Sequence, residues 1–350
     1  MRPLPRALAA ALCAGLVAGG LASLAAQSRG AWTTAAPLDR GWEEVMGAAI
    51  QGKLYLFEGL ETLPRGPSGL SGSPVQLPRA GLEVFDPVAD RWSRKPPMPI
   101  PAHHAAVAAH DGKLYVFGGF VSPETLGGWS SVANVFVYDP ATERWSPRTP
   151  MPTPRGGAHA AAVGGKIYVI GGYATSAHPR DPIGSNLGSN EEYDPATDTW
   201  VIRAPMPTPR NHHAIGAIGG KIYVAGGRVG SAFAGVASDV SVTEAYDPAA
   251  NRWAMKAAMP TARSGLGYAV LGERLYVFGG EIARSLPPNL VYPAVESYDP
   301  AANRWETYAP MPTPRHAPAA AAIGGKIYVV SGNTRTGGGS ASPVNEVFEP

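Results

Sequence analysis

One tripeptide returns along this chain at near-constant spacing. It reads Phe85-Asp86-Pro87, Tyr138-Asp139-Pro140, Tyr193-Asp194-Pro195, Tyr246-Asp247-Pro248, Tyr298-Asp299-Pro300 and Phe348-Glu349-Pro350. The copies follow one another at roughly fifty residues, the period of a supersecondary unit that buries its faces only against copies of itself. A chain so built is a repeat array, and most positions that recur in every copy serve the scaffold.

Each copy keeps one internal order. Met-Pro-x-Pro-Arg, as in Met151 to Arg155, precedes a small apolar run, and a two-residue turn such as Gly164-Gly165 or Asp111-Gly112 follows. Such pairs suit the positive φ angles of a tight hairpin. A β-rich run then carries a tyrosine in every copy (Tyr55, Tyr115, Tyr168, Tyr223, Tyr276, Tyr328) and in most copies ends on a glycine pair. A variable loop leads to the strand that ends on Tyr-Asp-Pro, and a tryptophan follows at Trp92, Trp145, Trp200, Trp253 and Trp305. This order predicts four short antiparallel strands per unit, and setting six such sheets radially leaves only short edges uncovered. The fold class is all-β: a six-bladed β-propeller of four-stranded antiparallel blades.

The ends support a closed ring. The last copy stops at Pro350, before its tryptophan, while Trp32 stands as far before Tyr55 as Trp145 does before Tyr168. Trp32 to Leu38 is therefore expected to complete the last blade. Copies one and six are degenerate: Trp42 and Ala102 stand in the arginine column of the first two copies, and the glycine pair is Glu58-Gly59 in the first and Ser331-Gly332 in the sixth.

This combination of motifs resembles the kelch repeat over nearly everything after residue 31. The resemblance implies a propeller that binds ligands on the face carrying its variable loops. With strands a to d numbered from the axis outward, the a–b hairpins and c–d turns are nearly identical in every copy. The b–c loops and d–a connections, on the opposite face, hold all the variation. The b–c loops run roughly 60–81, 120–133, 173–189, 228–242, 281–294 and 333–344, and include Trp129, His178, Arg180, Asp181, Phe233, Arg284, Tyr292 and Arg335. Variable loops on a rigid scaffold are where binding usually resides.

The d–a connections supply three columns that open the innermost strands. They read Trp42, Ala102, Arg155, Arg210, Arg263, Arg315; then Glu43, His103, Gly156, Asn211, Ser264, His316; then Glu44, His104, Gly157, His212, Gly265, Ala317. From these the candidate ligand-binding residues are Arg155, Arg210, Arg263, Arg315, His104, Asn211 and His212. Two roles are open to the arginines: bidentate capture of a carboxylate at the funnel mouth, or bracing within the repeat. The glutamates at 83, 191, 244, 296 and 346 recur in five copies, with Phe136 in the other, and read as structural. Glu43, Glu44, His104 and His212 would reach one metal ion only in a narrow funnel. Polar lining of a wet channel is the preferred reading, with no metal and no cofactor assigned.

Residues 1–26 read as a secretory signal and 27–350 as a single propeller domain. Arg2 and Arg6 supply the positive start, Ala7 to Ala22 are almost wholly apolar, and Ser23-Leu24-Ala25 offers small residues for cleavage. An uncleaved anchor is the alternative, at the short end for spanning a bilayer. The expected location is secreted or periplasmic, with no membrane span after cleavage. Cys13 is the only cysteine, so a mature chain would hold no disulfide. Its net charge would fall from +2 to about zero, which leaves no basic field for nucleic acid.

No serine nucleophile motif, phosphate loop or dinucleotide fingerprint is present. The sequence reading is therefore a non-catalytic binding module with a protein, peptide or glycan partner at the loop-rich face. Its alternative is a sugar-modifying enzyme resembling the sialic-acid mutarotases, with Glu43, Glu44, His104, His212 and the arginines supplying acid, base and carboxylate recognition. Galactose oxidase-like chemistry needs a cysteine cross-linked to tyrosine, and Cys13 lies in the signal.

Overall fold

The computed structural model describes residues 29–63, 75–122, 129–175, 184–231, 236–282 and 290–350. The signal segment 1–26 and the loop residues His178, Arg180, Asp181, Phe233 and Arg284 lie outside the described residues. Six four-stranded antiparallel sheets form the blades, five with their strands in sequential order and the sixth completed by the N-terminal strand. Blade 1 is Met46–Ile50, Lys53–Phe57, Leu82–Asp86 and Arg91–Lys95. Blade 4, Ala214–Ile218, Lys221–Ala225, Thr243–Asp247 and Arg252–Lys256, repeats the same plan. In blade 6 the outer strand is Ala31–Ala35, paired from Ala31 opposite Glu349 to Ala35 opposite Asn345. The closing strand is shorter than Trp32 to Leu38, although Leu38 N still donates to Pro343 O at 2.9 Å.

The composition of each strand follows from its radius. Six a strands converge on the axis, so they carry small residues. A Cβ on Gly216 would lie 2.6 Å from Val270 Cγ2 of the next blade, too close for any larger residue. The b strands are covered by neighbouring blades on both faces, hence near-continuous apolar runs such as Lys166–Ile170, with Ile167, Val169 and Ile170 wholly buried. The d strands are half exposed, and polar residues alternate around their tryptophan.

The recurring motifs are mostly straps between blades. Trp92, Trp145, Trp200, Trp253, Trp305 and Trp32 each donate Nε1–H to a carbonyl beyond the preceding blade's outer strand: Ala36, Pro96, Thr149, Ala204, Ala257 and Ala309. At four of these carbonyl residues the backbone N–H is also held, by Asp90, Asp198, Asn251 or Asn303. Those four acceptors sit at positive φ in the c–d turn, where Asp and Asn are best tolerated among non-glycines.

Candidate functional site

Of the two roles open to the arginine column, the structure shows bracing. The side chains of Arg155, Arg210, Arg263 and Arg315 are 0% exposed. Each pairs through Nη1 with a glutamate of its own blade: Glu191 at 2.7 Å, Glu244, Glu296 at 2.5 Å and Glu346 at 2.8 Å. The same guanidinium donates to carbonyls, as Arg210 does to Gly226 and Val224. The funnel role drawn for these four arginines from the sequence gives way, because all four side chains are buried and paired inside the blade. In blade 1 Trp42 replaces the arginine and donates to Glu83 at 3.3 Å. Nearby Glu58 is pushed up to about 7, by burial first and by Glu83 second. In blade 2 both partners are apolar, Ala102 and Phe136, and both are buried.

The third column forms the floor of the funnel. Glu44, His104, Gly157, His212, Gly265 and Ala317 all have left-handed backbone, with φ between 49° and 63°. Four links of a backbone ring join them from blade to blade: Gly157 N to His104 O at 2.8 Å, His212 N to Gly157 O at 3.0 Å, Gly265 N to His212 O at 3.1 Å and Ala317 N to Gly265 O at 2.7 Å. Deeper in the channel Tyr268 of blade 5 reaches across to His159 of blade 3, Oη to Nδ1 2.8 Å. Between ring and crossbar lies a cavity of about 30 Å³, lined by Glu44, His104, His159, His212 and Tyr268 on its polar side. That is room for a water-sized group, so a sugar or peptide would sit above the ring rather than inside it.

Side chains from different blades meet at this floor. Glu44 Oε2 lies 3.2 Å from His104 Nε2 and 4.0 Å from His212 Nε2. His212 Nδ1 lies 2.5 Å from Asn211 Oδ1, and His104 Nδ1 lies 2.5 Å from His103 Nδ1. Arg228 donates to His212 Nε2 at 3.0 Å, to Asn211 Oδ1 at 3.1 Å and to Glu281 Oε1 at 2.9 Å. Burial pushes the Glu44 carboxyl up to about 7; His316 and Arg228 oppose this, and Glu281 and Glu43 reinforce it. His104 and His212 are held well below the ordinary imidazole value, chiefly by burial, with Arg228 adding repulsion. Burial likewise takes His103 down to about 3. The floor thus holds neutral imidazoles beside a carboxyl that titrates near neutrality.

His104, Asn211 and His212 are brought together as one group, while the four arginines are kept apart from it. Sequence reasoning missed Arg228 and Glu281. Both directly follow the glycine pair, in a column that otherwise reads Leu60, Phe120, Tyr173 and Asn333. Each of these residues forms a β-bridge to the d–a connection of its own blade, such as Asn211 to Arg228 and Ser264 to Glu281. A charge of each sign in adjacent copies of a mostly apolar column was the available signal.

Six radial four-stranded sheets, strapped by tryptophan and floored by a ring of left-handed residues, define a β-propeller of the repeat class. The profile of the KLHDC2/KLHL20/DRC7 Kelch-repeats domain matches residues 47–253 and 127–332. The chain belongs to the kelch-repeat family. It is 32% identical over 272 residues to Kelch-like protein terF of Aspergillus terreus, covering 77% of this chain and 58% of that one. It is 30% identical to Beta-scruin of Limulus polyphemus over 72% of this chain, but spans only 27% of that protein. Among solved structures, that titled "Structure of YjhT" superposes with a TM-score of 0.71 at 17% identity, covering 90% of this chain and 96% of the other; it is a likeness of fold. Among the described residues no helix is long and apolar enough to cross a membrane.

Proposed function

We propose that this protein is an exported kelch binding module that recognises a protein or peptide on the face formed by its b–c loops and d–a connections. The observation that carries the reading is the segregation of variation. On one face the a–b and c–d turns repeat nearly unchanged, whereas on the other six dissimilar loops surround the funnel floor. Several open as short hairpins pinned to the scaffold, such as Leu60–Leu63 with Val75–Pro78 and Arg228–Ser231 with Val236–Asp239. That gives variable tips on rigid stems, the arrangement in which loops carry binding. His104, Asn211 and His212 lie at the bottom of this bowl, where they would meet only a ligand's deepest group. This chain spans 58% of one kelch relative and 27% of another, from different organisms, which fits a repeat module used in different settings.

The basic start, apolar run and small residues of positions 1–26 support export. Two measurements test the reading. Mass spectrometry of the protein from a fractionated host should find an N-terminus near Ala26 or Gln27 outside the cytoplasm; an intact Met1 peptide in the cytoplasm defeats the export part. Peptide-display and glycan panels screened on the propeller should give ligands lost when the b–c hairpins are shortened and kept when the opposite c–d turns are altered. Catalytic conversion of a screened sugar would instead favour the sugar-modifying alternative.

A further inference from the structure

We infer that Glu44, His104 and His212 form a binding site for one divalent first-row transition-metal ion at the closed end of the channel. Their three ligand atoms, one carboxylate oxygen and two imidazole nitrogens, all lie within 4.8 Å of one another. Metal–ligand bonds of about 2.0–2.2 Å set the donors of a tetrahedral site roughly 3.3–3.5 Å apart. The Glu44–His104 edge, at 3.2 Å, already has that length, and the Glu44–His212 edge, at 4.0 Å, needs a shift of under about 1 Å. Two neutral imidazoles and one carboxylate suit zinc, iron, cobalt or nickel; magnesium and calcium prefer all-oxygen sets.

The surroundings are those a metal needs. With Asn211 Oδ1 accepting from Nδ1–H, His212 carries its lone pair on Nε2, the nitrogen nearest Glu44 Oε2, where Arg228 now donates to it. His103 Nδ1 can do the same for His104. Metal-binding histidines are fixed in this way by a partner on the other ring nitrogen. In that tautomer the His104 and Glu44 acceptors, 3.2 Å apart, require a proton or a cation between them. His316 Nδ1 is buried, makes no hydrogen bond and lies 3.9 Å from Glu44 Oε1, the carboxylate oxygen turned away from His104 and His212. The cavity of about 30 Å³ has room for an ion or a water. Arg228 at present donates to His212 Nε2. An ion would take that donor's place, leaving Arg228 its bonds to Asn211 and Glu281.

The test uses the whole propeller stripped with a chelator, then titrated with Zn²⁺ or Co²⁺. One equivalent should bind, raise the melting temperature and give Co²⁺ the visible absorption of a low-coordinate nitrogen–oxygen site. Glu44→Gln, His104→Asn and His212→Asn should each weaken binding at least 10-fold. Asparagine is chosen because it tolerates left-handed backbone. His110→Ala, away from the cavity, should change nothing. Sub-stoichiometric binding, an aqueous-like Co²⁺ spectrum, or unchanged affinity in the three variants would overturn the site. Should a variant fail to fold, the wild-type stoichiometry and Co²⁺ spectrum decide alone, and the absence of either is negative.

Discussion

At the scale of single residues, the arginine and glutamate columns show what a repeat hides. Both were legible as columns, and the glutamates as structural. Their partnership was not, because Arg210 and Glu244 stand 34 residues apart and nothing local in sequence joins them. Blade 2 supplies the clue in retrospect: Ala102 and Phe136 change together, as a buried ion pair must if it is to be lost without leaving a bare charge. Removing one member of such a pair costs about 3–5 kcal/mol, whereas apolar replacement of both is often near neutral. Arg210→Ala should therefore lower unfolding free energy by about that range in urea titrations. The double variant Arg210→Ala with Glu244→Phe, which copies blade 2, should recover more than half of the loss. Equal losses in both would show that the guanidinium's carbonyl contacts, not its charge, carry the bracing.

At the scale of elements, the hairpins were readable because their turns demand positive φ. Gly164 and Gly165 adopt 59° and 76°, and even Gln51 and Gly52 comply at 49° and 76°. The short hairpins inside the b–c loops were not readable, since backbone pairing between dissimilar side chains leaves no periodic trace. The funnel floor was half readable: its columns could be aligned, but their convergence depends on the radius of the closed ring. The tryptophan straps give a direct test. Trp253→Phe keeps an aromatic ring beside Tyr246 yet removes the bond to Ala204 O. Its cost should be about 1 kcal/mol, the net worth of one hydrogen bond, read from chemical denaturation. A loss several times larger would mean that the indole packs in a way phenylalanine cannot replace.

At the scale of the whole molecule, closure and buried charge set stability. Deleting residues 29–36 should remove the outer strand of blade 6 with its Trp32 strap, and sharply lower melting temperature and solubility; an unchanged melting curve would contradict closure. The pH dependence follows from two opposing groups. Burial holds five imidazoles, His103, His104, His159, His212 and His213, below their ordinary value of 6.5. The unfolded chain takes up those protons below that pH and the folded one resists, so each costs stability as pH falls. Glu44 and Glu58 are raised to about 7 from 4.5, so each costs stability as pH rises between those values. Five groups outweigh two, and the melting temperature should fall from pH 7 to pH 5. Glu44→Gln removes one opposing group and should steepen that fall; a flat or inverted profile would show that the imidazoles are not held neutral.

The latch of blade 6 also has a mechanical direction. Ala31 lies opposite Glu349, so both free ends of the ladder leave from the same edge of the sheet. Tension applied through Arg29 and Pro350 would not shear the five paired residues at once but would peel them in turn, starting from Ala31. A propeller tethered at one end and loaded at the other would yield first at this seam, opening as a ring with a single gap while its five other blades stay folded.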